Sequence, residues 1–244
     1  MKAVILSAGQ GSRLLPLTAE HPKCLLPLGS KTLIEWQIDV LSRCGIDDIV
    51  VVVGFRAAQV EALLAKLVRP GLRIRTLFNP FYNVADNLGS CWLVRHEMVG
   101  DFLLLNGDTL FEPAVLHSLL QSPRAPITVT IDRKASYDAD DMKVHLDGTR
   151  LLDIGKTLPL STTNGESIGL LLFRDDGPAR FVAATDRMMH VAEGLTSFYL
   201  RVIDQLAKSH RIETASIEGL TWGEVDYPAD LQRMARLVAD GRLC

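Results

Sequence analysis

The sequence of 244 residues has few cysteines, no long apolar run and no excess of basic charge. Its four cysteines, the last of them Cys244, have neither the paired spacing of a metal site nor the density of a disulfide scaffold, so we expect reduced thiols and a cytoplasmic protein. The apolar runs are too short for a signal-peptide core or a membrane span. A formal net charge of −3 with interspersed signs gives no basic footprint. Neither a nucleic acid nor a membrane is therefore an expected partner.

Two well-known phosphate-binding signatures are also missing from the glycine-rich N-terminus. The pattern G-x-x-x-x-G-K-[ST] is absent, and G-x-G-x-x-G fails because Leu14 stands where the third glycine would be. An ordinary strand-to-helix turn therefore remains an alternative for this loop.

The N-terminus nevertheless has the residues of a phosphate-binding loop. The apolar run Ala3 to Leu6 predicts a buried strand, and a loop of small residues follows it. Glycines allow close approach of backbone N–H groups to an anion, while Arg13 and Lys23 supply fixed positive charge. The loop residues expected to contact a nucleotide are Ala8, Gly9, Gly11 and Ser12.

A longer string, LSAGQGSRLLPLTAEHPKCLLPLGSKTLIEWQ, is much more specific than its glycines. It resembles the signature A-A-G-x-G-(S/T)-R-(L/M)…P-K-x-(L/M) of the nucleoside-triphosphate transferase family, which includes sugar-nucleotide pyrophosphorylases and cytidylyltransferases. Ser7 replaces the first alanine. The resemblance extends through Asp108, Lys156 and Asp226, and it implies a nucleotidyltransferase in which Arg13 and Lys23 are catalytic.

Strand and helix patterns alternate after the loop. Helical spacing covers residues 32–43 and 57–68, and strand patterns cover 48–53 and 72–78. This alternation predicts an α/β fold: a Rossmann-like, mainly parallel sheet with helices on both faces. Ligands of such sheets bind at the carboxyl ends of the strands, where the glycine loop would emerge.

Beyond Pro126 the pattern changes to short strands separated by turns, at residues 127–131, 142–146 and 151–154. We expect a small antiparallel excursion on the acceptor side of the sheet. No linker or repeat divides the chain. The predicted organisation is one nucleotidyltransferase domain over 1–244, with a nucleotide-binding core at about 1–125, an acceptor-side region at about 126–226 and a C-terminal helix at 228–239.

A polar segment before a predicted helix at 90–98 contains two further nucleotide-binding candidates, Asn87 and Ser90. Both residue types donate or accept hydrogen bonds at helix N-termini, so capping alone is an alternative. The run Asp86 to Ser90 is closer to the N-N-x-x-S pattern of cytidylyltransferases for phosphocholine and related phospho-alcohols than to the L-G-T-A pattern of sugar-1-phosphate enzymes. Asp86 replaces the first asparagine of that pattern.

Two aspartates are the expected metal ligands. Asp108 follows a hydrophobic strand and a glycine, a position suited to a hard cation, although a turn residue would look the same. The family resemblance implies that Asp108 and Asp226 bind Mg²⁺, with Glu224 two residues before Asp226. A helix-capping role is the alternative for Asp226.

Acceptor-side candidates are Lys143, Lys156 and Glu166. Lysines usually project into water, but Ile154-Gly155-Lys156 resembles the family segment whose lysine meets the acceptor phosphate, without its preceding glutamate. Aromatic residues could form a wall for a quaternary ammonium group by cation–π attraction, or simply pack in the core. These aromatic residues are Tyr82, Trp92, Phe198, Tyr199 and Trp222.

The resulting functional hypothesis is transfer of a cytidylyl group from CTP to a small phosphorylated alcohol, such as phosphocholine, with Mg²⁺ and release of pyrophosphate. The acceptor phosphate already carries the nucleophilic oxygen, so no general base is required. One alternative is a sugar-1-phosphate uridylyl-, thymidylyl- or guanylyltransferase. A non-catalytic nucleotide-sensing subunit is the other. We expect a monomer or homodimer.

Overall fold

A computed structural model of the protein describes residues 1–243, in which strands and helices alternate. The strands are β1 (Lys2–Ser7), β2 (Pro27–Leu28), β3 (Lys31–Thr32), β4 (Asp48–Val53), β5 (Arg73–Phe78), β6 (Phe102–Asn106), β7 (Thr109–Phe111), β8 (Ile127–Asp132), β9 (Lys143–Asp147), β10 (Arg150–Gly155), β11 (Gly165–Phe173), β12 (Glu213–Ser216) and β13 (Trp222–Glu224). The α-helices are α1 (Leu33–Arg43), α2 (Ala57–Leu67), α3 (Asn87–Val94), α4 (Pro113–Leu120), α5 (Gly177–Met189), α6 (Tyr199–Ser209) and α7 (Pro228–Ala239).

A nine-stranded sheet in the order β5-β4-β1-β6-β11-β8-β12-β10-β9 forms the centre of the fold. The first four strands in that order are parallel. Strand β11 then pairs antiparallel with both β6 and β8, and β9 and β10 form an antiparallel hairpin. The α/β class is confirmed, but the sheet is mixed rather than mainly parallel because β11 is inserted next to β6 in the opposite direction.

The parallel strands place three loops at one edge of the sheet. In the pairing of β1 with its two neighbours, Ser7 lies opposite Val53 and Leu6 lies opposite Asn106. The strands therefore end side by side, and the glycine loop and Asp108 emerge from the same edge, as the sequence predicts.

Helices cover both faces of the sheet, as expected for strands that are apolar along their whole length. Ile38 of α1, Val60 of α2 and Leu116 of α4 pack on one face. Leu88 of α3 and Phe181 of α5 pack on the other, together with helix α6. No helix within residues 1–243 combines the length and apolar character that crossing a bilayer requires.

A small antiparallel ribbon brings the C-terminal part of the chain to the edge where Asp108 lies. Strand β13 pairs with β7, so that Glu224 lies opposite Thr109. The backbone N–H of Val225 then donates to the carbonyl of Asp108 at 3.2 Å. Asp226 is thereby fixed beside Asp108 just before α7 begins.

Several predicted elements are confirmed and others shift. The predicted strand at 48–53 and the predicted helix at 228–239 are confirmed, and the helix predicted at 90–98 begins earlier, at Asn87. The strand Gly165–Phe173 and the helix Pro113–Leu120 were not predicted. Cys24, Cys44 and Cys91 carry free thiols, whereas Cys244 lies outside the described residues.

The packing around β11 predicts a large and local stability effect. The Phe173 ring stacks on Phe102 with centroids 4.5 Å apart and also contacts Phe181, and all three are fully buried. We expect Phe173→Ala to lower the free energy of unfolding by about 3–5 kcal/mol, because the cavity would lie in a closely packed core. Phe78→Ala, at a side chain that is 51% exposed, is the matched control and should change it by less than about 1 kcal/mol. Urea unfolding of both variants measures the two changes in the free energy of unfolding. Equal losses would contradict the close packing of Phe173 in the core.

Candidate active site

The glycine loop after β1 is shaped around the Lys23 side chain. Gly11 has a φ of 77°, in the left-handed region, and a Cβ atom there would lie 2.9 Å from Cβ of Lys23. The Thr18 hydroxyl donates to the Gly11 carbonyl at 2.8 Å, which fixes the turn. Ala8 is buried and its carbonyl accepts a hydrogen bond from the Phe55 N–H, whereas Ser12 is exposed. Only a glycine at position 11 lets the loop and Lys23 come this close.

A cavity of about 210 Å³ lies against this loop. Gly9, Gly11, Lys23, Asn87 and Asp108 line it, which brings together residues from three of the predicted segments. The cavity is at the carboxyl ends of β1 and β6, where nucleotides bind in open α/β sheets.

Three buried oxygen atoms along this cavity have no hydrogen-bond partner within residues 1–243: Ser7 Oγ, Asn106 Oδ1 and Asp108 Oδ1. Buried polar atoms are normally paired, so their convergence indicates a place for a polar ligand or water. The sequence analysis did not select Ser7 and Asn106 as site residues. Their positions as the last residues of β1 and β6 were the available signal.

Lys23 lies between the two predicted metal ligands. Its Nζ is 2.8 Å from Asp108 Oδ2 and 2.6 Å from Asp226 Oδ1. Burial alone would lower the pKa of Lys23, but the two carboxylates outweigh burial and raise it above its ordinary value. The charge of Lys23 lowers the pKa of Asp226 in turn, against the opposing effect of burial. The lysine is thus held in its charged form and balances the two acids.

Glu224 adds a third carboxyl group to this centre. Its Oε1 accepts a hydrogen bond from the Thr109 hydroxyl at 3.4 Å. Burial, followed by the charges of Asp108 and Asp226, raises the pKa of Glu224 well above its ordinary value. Glu224 therefore tends to keep its proton beside Asp108 and Asp226, and added positive charge at the centre would oppose that tendency.

A pair of aspartates fits Mg²⁺ better than a metal that needs a complete protein cage. Residues 1–243 contain no group of three or more His, Cys, Asp or Glu side chains suited to hold a metal. Mg²⁺ characteristically takes one or two carboxylates, with phosphate oxygens and waters completing its shell. The unpartnered Oδ1 of Asp108 is available for this purpose. The residues present therefore fit an ion held jointly by Asp108, Asp226 and a nucleotide.

A second group of charges lies next to Asp226. Arg13 Nη1 is 3.3 Å from Asp226 Oδ2, and Arg13 Nη2 is 3.5 Å from Asp140 Oδ1. Lys156 Nζ approaches the same Asp140 oxygen at 3.8 Å. The Tyr227 hydroxyl donates to Asp140 Oδ2 at 2.9 Å. Asp140 and Tyr227 are further residues that the sequence analysis did not single out.

A larger cavity of about 620 Å³ adjoins Asp226 and has strongly acidic walls. Glu166 lines it, and its side chain is only 6% exposed. Lys134 Nζ lies 3.0 Å from Glu166 Oε2 and 2.8 Å from Asp141 Oδ1. Burial raises the pKa of Glu166 to about 7, although Lys134 partly opposes the shift. The other acidic residues of the wall are Asp132, Asp138, Asp140, Glu224, Asp226 and Asp230.

Two predicted site residues point elsewhere in the structure. Lys143 is buried, and its Nζ donates to the carbonyl of Lys156 at 2.8 Å, so it supports the chain at Lys156 rather than facing a cavity. The Ser90 hydroxyl accepts a hydrogen bond from Asn79 Nδ2 at 3.0 Å inside the core. Each interaction joins two neighbouring segments, 13 and 11 positions apart, whose side-chain contacts residue types alone do not specify.

The five aromatic residues considered for an ammonium-binding wall do not come together. Tyr199 is fully buried in the core, and the Trp92 indole donates to Asp186 at 2.9 Å. Trp222 lines the larger cavity, and the Phe198 ring lies beneath Lys156 with 5.4 Å between Nζ and the ring centroid. The structure therefore favours the alternative of packing roles for Tyr199 and Trp92. Tyr82 packs edge-on against Phe55.

Comparison with known proteins places this geometry in a family. The family model of the MobA-like NTP transferase domain matches residues 3–160. A CMP-5'-(3-aminopropyl)phosphonate synthase from Streptomyces rubellomurinus is 32% identical over 96% of this chain and 38% of its own length. A choline-phosphate cytidylyltransferase from Streptococcus pneumoniae is 36% identical over 50% of this chain and 51% of its own length. Sugar-1-phosphate nucleotidyltransferases are also among the relatives.

The fold has a counterpart of known structure. The CTP:phosphocholine cytidylyltransferase from Streptococcus pneumoniae superimposes with a TM-score of 0.80 at 24% identity, covering 97% of this chain and 98% of the other. The matches to the two sequence relatives span only 38% and 51% of those proteins. The α/β nucleotidyltransferase fold is thus confirmed, and the match over residues 3–160 shows that the chain belongs to the MobA-like NTP transferase domain family.

Proposed function

We propose that the protein transfers the cytidylyl group of CTP to a small phosphorylated alcohol, with phosphocholine as the leading acceptor. An oxygen of the acceptor phosphate forms a bond to the α-phosphorus, the bond between that phosphorus and the β-phosphate bridging oxygen breaks, and pyrophosphate leaves. The observation that carries the proposal is Lys23, held between Asp108 and Asp226 beside the glycine loop. The relatives named for CTP-dependent transfer support the choice of nucleotide.

The N-terminal residues would bind the nucleotide. Backbone N–H groups from Gly9 to Ser12 are free to turn towards phosphate oxygens, and Arg13 adds charge to hold the leaving pyrophosphate. The unpartnered Ser7 Oγ and Asn106 Oδ1 would receive polar groups of the nucleotide or its waters. Residues 1–125 would thus form the nucleotide-binding core.

Asp108 and Asp226 would hold Mg²⁺ with the nucleotide. The bound ion supplies positive charge that reduces repulsion between the two reacting phosphates. Lys23 would then leave at least one aspartate, and its ammonium group would bind the α-phosphoryl oxygens instead. The catalytic contribution of the chain is therefore alignment and charge neutralisation.

Residues 126–226 would form the acceptor side, with Lys156 meeting the acceptor phosphate and the large cavity receiving its other end. Carboxylates outnumber cations along that cavity, so a positively charged acceptor fits better than a neutral sugar. A sugar-1-phosphate uridylyl-, thymidylyl- or guanylyltransferase is the alternative, because such enzymes are among the relatives. A nucleotide-sensing subunit is less consistent with a chain that retains Arg13, Lys23, Asp108 and Asp226.

The first test is pyrophosphate release by purified protein with Mg²⁺, each of the common nucleoside triphosphates and a panel of phosphorylated acceptors. We expect release with CTP and phosphocholine, because the acidic cavity selects a cation. Asp108→Asn should lower turnover by at least about a hundredfold while preserving the fold. Release only with UTP or dTTP and a sugar 1-phosphate would favour the alternative, and no release with any pair would reject the proposal.

The second test asks whether the Lys23 ammonium group and a metal ion compete for the carboxylates of Asp108 and Asp226. Lys23→Met should bind Mn²⁺ at least about tenfold more tightly than the wild type without nucleotide, since two carboxylates lose their resident cation. The same variant should lose pyrophosphate release. Electron paramagnetic resonance of free Mn²⁺ measures the affinity directly. Lys31→Met is the control, because Lys31 pairs with Asp39 at another place. Unchanged Mn²⁺ affinity in Lys23→Met would show that the lysine does not compete with the ion.

The third test uses the pKa of Glu166. That pKa is raised to about 7, so the side chain gains its negative charge as the pH rises from 6 to 8. We expect the ratio of kcat/KM for phosphocholine to that for its neutral analogue, 3,3-dimethylbutyl phosphate, to rise about threefold or more over this range. The two acceptors share one phosphate chemistry, so the ratio isolates the ammonium group.

Glu166→Gln should make that ratio independent of pH. Glu61→Gln, on an exposed part of α2, should behave like the wild type. A flat ratio in the wild-type protein would show that Glu166 does not recognise the acceptor cation.

A further inference from the structure

Two cationic side chains and one hydroxyl from separate parts of the chain converge on the Asp140 carboxylate. Arg13 Nη2 and Lys156 Nζ lie 3.5 Å and 3.8 Å from Oδ1, and the Tyr227 hydroxyl donates to Oδ2 at 2.9 Å. Arg13 follows β1, Lys156 follows β10, and Tyr227 immediately precedes α7. Asp140 itself lies in the connection between β8 and β9. Four segments thus meet at a single negative charge.

These interactions are too exposed to serve mainly as structural support. The side chains of Arg13, Asp140 and Lys156 are 45%, 48% and 30% exposed. Exposed ion pairs contribute little stability, because water and salt screen them and the long side chains lose entropy. The Asp140 carboxylate can therefore be replaced at low cost by an anion of higher charge.

The donor set suits a phosphate ester. A lysine and a hydroxyl can both donate to one anion, and the neighbouring arginine adds positive charge, which is the usual composition of a phosphate-binding site. Its position is also appropriate, because Arg13 Nη1 lies 3.3 Å from Asp226 Oδ2. An anion in this place would lie next to the carboxylate pair proposed to hold the metal.

We propose that the Asp140 carboxylate occupies the binding position of the acceptor phosphate in the free protein. Tyr227 then binds that phosphate once Asp140 has moved away. The inference rests on the proposed function for the identity of the acceptor, a phosphate monoester. The dianion displaces the singly charged carboxylate, and Lys156 and Tyr227 transfer their interactions to it. Arg13, released from Asp140, is then free to hold the leaving pyrophosphate.

The displacement also affects access to the larger cavity. Asp138, Asp140 and Asp141 all line that cavity. The Asp138 carboxylate accepts from the backbone N–H groups of Asp140 and Asp141 at 2.8 and 3.2 Å, so the three residues form one small turn. Moving Asp140 away from Tyr227 therefore moves part of the cavity wall, which couples binding of the phosphate to entry of the rest of the acceptor.

The test is a set of variants measured by calorimetry, with inorganic phosphate and phosphocholine as the two probes. Asp140→Ala and Asp140→Asn should bind both probes at least about threefold more tightly than the wild type, because no carboxylate then competes for the phosphate-binding position. The KM for phosphocholine should fall in parallel, and by a larger factor than the KM for CTP. Glu218→Gln is the control, since Glu218 is an exposed acid paired with Arg133 at a similar 3.6 Å. It should leave all four values at their wild-type level.

Tyr227→Phe must be made in the Asp140→Ala background, because in the wild type the hydroxyl also holds Asp140 in place. There it should weaken binding of both probes by about threefold or more. Thermal unfolding of each variant verifies that the fold is retained.

The outcomes separate this inference from the proposed function. Normal turnover by the wild type, together with unchanged phosphate binding in Asp140→Ala or no effect of Tyr227→Phe in that background, overturns the inference and leaves the function intact. Absence of turnover with every nucleotide rejects the function. In that case the titrations with inorganic phosphate still test the inference. Tighter binding without Asp140 and weaker binding without the Tyr227 hydroxyl support an anion-binding site at this position, and constant affinity excludes it.

Discussion

The interaction on which the rest of the site depends is the contact of Lys23 with Asp108 and Asp226. It joins the N-terminal loop, the end of β6 and the segment before α7, so residues far apart in the sequence form one centre. Gly11 makes room for the lysine, and buried Gln37 donates to the carbonyls of Asn106 and Thr109 at 2.8 Å, holding the turn that carries Asp108. These supports keep the two carboxylates close together although they repel each other.

Charge balance explains why the site has internal partners for its charges. Partly buried carboxylates are costly unless a cation is near, and Lys23 supplies that cation when no metal is bound. For the positively charged residues of the site, the Asp140 carboxylate is the partner of both Arg13 and Lys156. Substrate binding under the proposed function is then an exchange of partners in which no charge is left unpaired. Exchange of this kind makes binding affinity depend on the charge of the ligand. A ligand that carries less charge than the side chain it replaces binds weakly.

Local patterns predicted the parts of the molecule that local interactions determine. The run of valines in β4 and the proline at the first turn of α7 specify those elements directly, and family resemblance selected Asp108 and Asp226. The orientation of β11 was not predictable, because the apolar run Ile168 to Phe173 is equally compatible with a parallel strand. Asp140 and Tyr227 escaped notice for a related reason, since their contact joins residues 87 positions apart. The local sequence of each resembles an ordinary polar loop.

The unpredicted strand β11 contributes to the surroundings of both cavities. Gly169 has a φ of 73°, and a Cβ atom there would lie 2.3 Å from the amide nitrogen of Asn106, which lines the smaller cavity. Glu166, three positions earlier on the same strand, lines the larger one. The pairing of β11 with β8 shifts its register between Ser167 and Leu171, so this part of the strand is irregular although it is buried. Under the proposed function, the acceptor phosphate would lie near Asp226 and its cation near Glu166. Because β11 is buried along its whole length, the position of Glu166 is set by the core of the protein and not by an exposed loop.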